Sequence, residues 1–152
     1  MFKLNNKGFT LVELLAVIVV LAIIMIIAIP SVMETMENAR KGTFKIYAQK
    51  VLTKAEETFQ SDILLGNIDA TGSTCYDFTK LGLTRSGNYR GKVSVTYDDQ
   101  LKPTFKLWLS DNSYSVNGIP VEEAGKIGAE TGGPTLGTPW IGNLNEQNIT
   151  CP

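Results

Sequence analysis

A single ionisable side chain lies inside a long apolar stretch near the start of this chain. The nineteen residues from Leu11 to Ile29 comprise fourteen Leu, Ile or Val, three Ala, one Met and Glu13. A carboxylate in apolar surroundings is costly until a cation pairs with it, so we expect Glu13 to take part in an ion pair. The alternative is that its side chain reaches the headgroups of a membrane, because Glu13 is close to one end of the stretch.

Residues for other kinds of chemistry are scarce. The 152 residues include no His and only two Cys, and 14 basic side chains nearly balance 15 acidic ones. A chain without His lacks the commonest general base and metal ligand, and two Cys cannot complete a four-thiolate zinc site. No glycine-rich segment has the spacing of a phosphate-binding loop. We therefore expect no catalytic residues, no metal and no cofactor.

The apolar stretch is long enough to cross a membrane. From Phe9 to Ile29 it has 21 residues, which as a helix reach about 31 Å, against a hydrocarbon thickness of about 30 Å. Its Leu, Ile and Val contribute about −4 to −8 kcal/mol to insertion, which outweighs the roughly +3 kcal/mol cost of one central acid. A cleaved signal peptide fits less well, because the stretch exceeds the usual length of about 7 to 15 residues and Ala28-Ile29-Pro30-Ser31 is not a small-x-small cleavage sequence.

The residues just before this stretch complete a known pattern. The segment Lys7-Gly8-Phe9-Thr10-Leu11-Val12-Glu13-Leu14-Leu15, followed by an apolar run that ends at Pro30, resembles the N-terminus of type IV prepilins. The resemblance implies that a prepilin peptidase cuts between Gly8 and Phe9, that the leader 1–8 is removed, and that Phe9 becomes N-methylated.

Cleavage after Gly8 would create a cation for Glu13. The new amine of Phe9 lies four residues before Glu13, about one helical turn away. Within one chain the two groups form an i, i+4 pair, and between chains an incoming Phe9 amine can pair with the Glu13 of a subunit already packed. The resemblance to type IV pilins assigns Glu13 this intermolecular assembly role.

Helical periodicity continues beyond the apolar stretch. Pro30 removes a backbone donor and clashes with the carbonyl of Ile26, which predicts a kink; alternatively, Pro30 only marks where the membrane span 9–30 ends. Apolar residues at spacings of three and four then predict an amphipathic helix half over 31–64, capped at Gly66-Asn67. The residues of this stripe are Phe44, Ala48, Val51, Leu52, Ala55, Phe59 and Ile63.

Alternating residues in the globular head, 65–152, predict a small antiparallel sheet. A connecting loop is expected over 65–90 and a β-meander over 91–117, with turns at Asp98-Asp99 and Asp111-Asn112. The apolar face of the meander, Val93, Val95, Tyr97, Phe105, Leu107 and Leu109, is expected to cover the helix stripe. This predicts an α+β fold with a C-terminal loop region over 118–152. Trp108 is expected on the opposite face of the sheet, under the C-terminal segment or at a subunit contact.

Cys75 and Cys151 are the only cysteines. An exported domain would oxidise such a pair, and a bridge closing about 76 residues would contribute roughly 4.5 kcal/mol in the loop-entropy model. Many type IV pilins staple their C-terminal region in this way, so the resemblance implies a Cys75–Cys151 disulfide. Two free thiols are the alternative.

Two weaker signals have ordinary explanations. The basic segment Arg85–Lys92 contains one aromatic residue and is compatible with a contact to DNA, but a loop entering a strand explains it equally well. The turn residues Asp98, Asp99, Asp111 and Asn112 would bind calcium only if they gathered at one end of the sheet, and their spacing fits no calcium motif.

Together these features predict a filament subunit. The precursor is expected in the cytoplasmic membrane, and the mature chain in a homo-oligomeric helical filament that the pilus assembly machinery builds on the cell surface. Adhesion, twitching motility and DNA uptake are functions that the resemblance implies for such filaments, and no residue selects among them. The alternatives are a pseudopilin or minor pilin of a type II secretion or competence system, and a membrane-anchored binding module that never polymerises.

Overall fold

The computed structural model describes residues 9–68, 72–83, 89–111, 113–128 and 134–137. In chain order they form helix α1 (Leu11–Leu64), strands β1 (Thr74–Asp77), β2 (Arg90–Tyr97), β3 (Pro103–Ser110) and β4 (Ser115–Pro120), and the short helix α2 (Val121–Ala124). These elements confirm the predicted α+β class. The chain divides into two compact units, Met1–Ala39 and Arg40–Pro152, and α1 contributes to both.

The described part of the first unit consists mainly of the N-terminal portion of α1. Every described residue from Phe9 to Ala39 is exposed in the single chain, and the large apolar side chains are 48% to 89% exposed. By length and composition α1 can cross a membrane. Pro30 lies inside the helix, and the kink expected there stays a prediction.

In the second unit, residues 40–64 of α1 pack on one face of the sheet. The predicted helix stripe is confirmed, because its residues from Phe44 to Phe59 are at most 3% exposed and Ile63 packs against them. The sheet supplies the predicted apolar residues, of which Val93, Val95, Leu107 and Leu109 are fully buried. At the margin of the core the ring of Phe59 meets Phe105 edge to face, with centroids 5.5 Å apart.

Helix α1 ends at the predicted cap. Gly66 has a φ of +70°, a conformation that costs glycine little because it has no Cβ. The Gly66 N–H donates to the Ile63 carbonyl at 3.1 Å, and the Asn67 N–H donates to the Asp62 carbonyl at 2.9 Å. These two bonds form a Schellman motif, which satisfies carbonyls that the helix end would otherwise leave unpaired.

The sheet has the order β1-β2-β3-β4, and every neighbouring pair is antiparallel. Two elements lie where loops were expected, since β1 falls within 65–90 and α2 within 118–152. Strand β1 has four residues and only Tyr76 is buried, so it carries too little alternation to reveal a strand. The segment is a strand because it pairs with β2.

Asp98 and Asp111 each form the backbone bonds of a predicted turn, whereas Asn112 lies outside the described residues. Asp98 Oδ1 accepts bonds from two backbone N–H groups of its own turn, at 2.8 and 2.9 Å, and Asp111 Oδ1 does the same in the next turn. The turns lie at opposite ends of β3, so Asp98 and Asp111 cannot share a cation. Within the described ranges no group of three or more His, Cys, Asp or Glu could hold a metal ion.

Trp108 lies on the outer face of the sheet, away from α1, as expected. The register between β3 and β4 shifts between Leu107 and Leu109, so Asn117 and Gly118 both stand opposite Trp108 in a β-bulge. Gly118 has a φ of +62°, and a Cβ there would lie 3.3 Å from the indole ring. The tryptophan therefore packs directly over the glycine.

Tyr76 links β1 to the end of α1 through a hydrogen bond. The side chain is fully buried, and its hydroxyl donates a hydrogen bond of 2.9 Å to Asp62 Oδ2. Burial and the bond to Asp62 raise the pKa of this phenol above its ordinary value. The bond therefore favours the protonated phenol in the folded chain.

Tyr76→Phe is expected to lower the free energy of unfolding by about 1.5 to 3 kcal/mol, because a buried hydrogen bond to a charged acceptor is lost. The raised pKa means that the contribution of Tyr76 is complete below pH 10 and is lost at higher pH, where the unfolded tyrosine ionises first. Urea unfolding of the full chain in detergent, at pH 7 and about pH 11, measures both effects.

Tyr97→Phe is the matched control for this prediction. The Tyr97 hydroxyl is buried and has no hydrogen-bond partner in the described part of the chain, so its removal should be neutral or slightly stabilising. Equal unfolding free energies for the two variants at pH 7 would contradict the role given to the Tyr76–Asp62 bond.

Candidate functional site

The first turn of α1 is built by Thr10 and Glu13. Thr10 precedes the helix, and its carbonyl accepts the first helical bond, from the Leu14 N–H at 3.2 Å. The Glu13 N–H donates to Thr10 Oγ1 at 3.3 Å, and the Thr10 N–H donates to Glu13 Oε2 at 2.9 Å. These reciprocal bonds form a capping box, which satisfies two backbone donors that a helix start otherwise leaves free.

The capping box also provides local donors for the Glu13 carboxylate. The Thr10 hydroxyl donates to Glu13 Oε2 at 2.8 Å, so this oxygen accepts two hydrogen bonds. The positive end of the helix dipole lies at the same place and favours a negative charge there. In the single chain Glu13 is therefore stabilised by dipoles of its own helix start, while Oε1 takes no part in these bonds.

The structure brings together two of the predicted site residues, Phe9 and Glu13, at the start of α1. Phe9 is 89% exposed and directly precedes Thr10. Gly8 lies outside the described residues with the rest of the leader 1–8, so the cleavage site stays a prediction. A new amine on Phe9 would be adjacent in sequence to Thr10, which already holds the carboxylate.

The remaining predicted site residues belong to other parts of the chain. Pro30 lies inside α1, at the end of its apolar stretch. Cys75 is half-buried on β1, whereas Cys151 lies outside the described residues. The Cys75–Cys151 disulfide therefore stays a prediction.

Thr10 is the residue that sequence reasoning missed. The pattern of a threonine followed three residues later by a glutamate, directly before an apolar run, is the usual signal of a capping box. The signal was present, and the helix start could have been placed from it.

Thr10→Val is expected to loosen the first turn of α1, because it removes a side-chain cap worth about 1 kcal/mol. That loss corresponds to a roughly fivefold larger population of the open turn. Amide hydrogen exchange of the full chain in detergent, read from a proteolytic peptide that covers residues 10–16, measures it. Thr10→Ser keeps the hydroxyl and should exchange as the wild type does. Equal exchange in all three proteins would contradict the capping role.

Comparison with protein-family models gives a match that falls on this site. Residues 3–29 match the family model of the prokaryotic N-terminal methylation motif, a range that covers the Gly8–Phe9 junction, Glu13 and the exposed apolar part of α1. Among curated proteins and among solved structures no significant match is found. The N-terminal region of this chain therefore carries the type IV prepilin signature.

Proposed function

We propose that this protein is a structural subunit of a type IV pilus. In this proposal a prepilin peptidase removes residues 1–8, Phe9 is methylated, and the assembly machinery transfers the mature chain from the cytoplasmic membrane into a helical homopolymer on the cell surface. Adhesion, twitching motility or DNA uptake would then be properties of the assembled filament.

The observation that carries the proposal is the exposed apolar helix. Phe9 and every large apolar side chain of α1 from Leu11 to Met36 are at least 48% exposed in the single chain. This apolar surface is far larger than soluble proteins leave in water. A membrane covers such a helix in the precursor. In a filament, copies of the same helix would cover one another.

Glu13 gives this packing a defined register. In apolar surroundings a carboxylate with only hydrogen-bond donors around it is less well satisfied than one with a cation, so a neighbouring Phe9 amine is a favourable partner. Each Glu13 accepts one amine, and each subunit donates its own amine to a different copy. Contacts between unlike surfaces of identical chains build open helical polymers when their rotation does not close a ring.

The second unit supports polymerisation from a membrane, because it is stable without the apolar helix part. The unit Arg40–Pro152 has its own hydrophobic core, built from residues 44–59 of α1 and the sheet. Its stability therefore needs no contact with the apolar residues 11–29, which are free to exchange lipid for other subunits. This separation of roles is what polymerisation from a membrane requires.

Shearing of the cell surface tests the proposal. We expect the sheared fraction to contain an abundant chain that begins at methylated Phe9, identified by the intact mass. The same processed chain found only in membranes would favour a pseudopilin or minor pilin instead. An unprocessed chain beginning at Met1 would indicate a membrane-anchored module, and cleavage beyond Pro30 would overturn the pilin proposal.

A further inference from the structure

One asparagine of this chain is followed by glycine. The pair is Asn117-Gly118, and every other Asn precedes a residue that has a side chain. The backbone nitrogen that follows an Asn can attack the side-chain carbonyl, and a glycine leaves the most room for this attack because it has no Cβ. Asn117 is therefore the asparagine whose sequence context most favours ring closure between side chain and backbone.

Ring closure at Asn117 converts its amide into an acid. The Gly118 nitrogen gives its proton to hydroxide and forms a bond to Cγ of Asn117, while the bond from Cγ to Nδ2 breaks and ammonia leaves. Water then opens the cyclic imide at one of its two carbonyls, which yields either Asp or isoAsp. Water is the only co-reactant, and nothing is oxidised or reduced.

The fold places this pair where the ladder between β3 and β4 is interrupted. The register shifts between Leu107 and Leu109, so Asn117 and Gly118 together occupy the bulge. In a regular strand the ladder bonds hold the backbone nitrogen in the plane of the sheet, away from the side chain. A bulge disrupts the ladder locally and lets the strand bend, which removes this obstacle to ring closure.

Water reaches the pair, and the strand that carries it lies at an edge of the sheet. Asn117 is exposed and Gly118 is half-exposed. Strand β4 pairs with β3 on one side, and on the other side the described residues add the bridge from Ser115 to Gly137. A strand with this little support opens locally more readily than a central strand does.

We propose that Asn117 is a deamidation site of the folded protein. The additional acid changes the formal net charge of the chain from −1 to −2. An isoAsp product also adds one carbon atom to the main chain of β4, in the bulge opposite Trp108. The head thus gains a negative charge and a distorted edge strand as the protein ages, whether or not the chain forms a filament.

Two other asparagines are controls within the same molecule. Asn38 lies inside α1, where the backbone nitrogen that follows it is held in a helical hydrogen bond. Asn67 is followed by Ile68, and its side-chain nitrogen donates to Asp62 Oδ1 at 3.1 Å. Neither side chain is placed to close a ring as readily as Asn117.

Peptide mass mapping of the full chain, aged in detergent at pH 7 and at pH 8, tests the proposal. We expect Asp and isoAsp to accumulate at position 117 at least about tenfold faster than at Asn38 or Asn67. The reaction should be faster at pH 8, because the attacking nitrogen must lose its proton. Asn117→Gln keeps the amide but requires a larger ring, so this variant should stay unmodified. Labelling by an isoaspartate methyltransferase identifies the isoAsp product.

The chain unfolded in urea shows whether the fold permits the reaction. Deamidation of Asn117 at a similar rate in the folded and the unfolded chain supports the proposal, with circular dichroism to verify that the aged sample is still folded. An Asn117 that reacts in urea but stays intact in the folded chain would overturn it, because β4 would then keep the pair apart. Equal rates at Asn117, Asn38 and Asn67 in the folded chain would overturn it as well.

Discussion

Glu13→Ala is expected to abolish surface filaments while leaving membrane insertion and removal of the leader intact. Replacement of the acid lowers the cost of insertion by about 2.5 to 3.5 kcal/mol, so the precursor should still reach the membrane. The Phe9 amine of an incoming subunit, however, would find no carboxylate on its neighbour. Electron microscopy of the sheared fraction and immunoblots of membranes measure the two effects separately.

The capping box makes this prediction more specific. Because Thr10 and Glu13 bond reciprocally, Glu13→Ala also removes a helix cap, whereas Glu13→Gln keeps an acceptor at that position and removes only the charge. Both variants should fail to assemble if the ion pair is decisive. Filaments from Glu13→Gln but not from Glu13→Ala would show that the cap matters and the charge does not.

Glu34→Ala is the matched control for the charge. Glu34 is an exposed acid of the same helix that lies beyond the apolar stretch. Its replacement should leave filament yield unchanged. Abundant filaments from Glu13→Ala would contradict the assembly role of Glu13.

Gly91→Ala is expected to destabilise the head by about 3 kcal/mol. Gly91 is buried in β2 opposite Leu109, and a Cβ there would collide with the carbonyl oxygen of Trp108 and lie 2.9 Å from the ring of Phe78. The first contact is with backbone of the neighbouring strand, so relief requires a strand to shift or the Phe78 ring to leave the core. The melting temperature of the full chain in detergent should fall by about 6 to 12 °C.

Gly42→Ala is expected to have the opposite effect, an increase in stability. Gly42 lies inside α1 and a Cβ there meets nothing within 4 Å. Alanine has the higher helix propensity, so this change should stabilise the chain by about 0.5 to 1 kcal/mol. If both alanine variants melted like the wild type, the close approach of Phe78 and β3 to Gly91 would be contradicted.

The sequence by itself predicted the features that local periodicity or composition controls. The apolar stretch, the stripe from Phe44 to Ile63, the cap at Gly66 and the two aspartate turns all follow from spacings within a few residues, because the helical repeat, the strand repeat and turn chemistry act over that range. The prepilin pattern around Gly8 and Phe9 is local in the same sense. The matched methylation motif at residues 3–29 confirms that pattern.

The other features of the fold depend on contacts between residues that are distant in sequence. Strand β1 exists through its pairing with β2 and the bond from Tyr76 to Asp62, and a segment of four residues cannot signal such a pairing in advance. The bulge that seats Trp108 over Gly118 depends on the register of two strands. The turns of Asp98 and Asp111 lie at opposite ends of β3, and only the topology of the sheet excludes a shared cation site.

The boundary between the two compact units also shows this distinction between local and long-range interactions. Sequence determined that residues 11–29 must be covered by lipid or protein, because their apolar side chains have no partners of their own. Tertiary structure decided that the second unit begins at Arg40, inside a continuous helix. Burial starts near Phe44, where the sheet first covers α1. A helix needs only local hydrogen bonds to form, but a core forms only where segments far apart in the chain exclude water together.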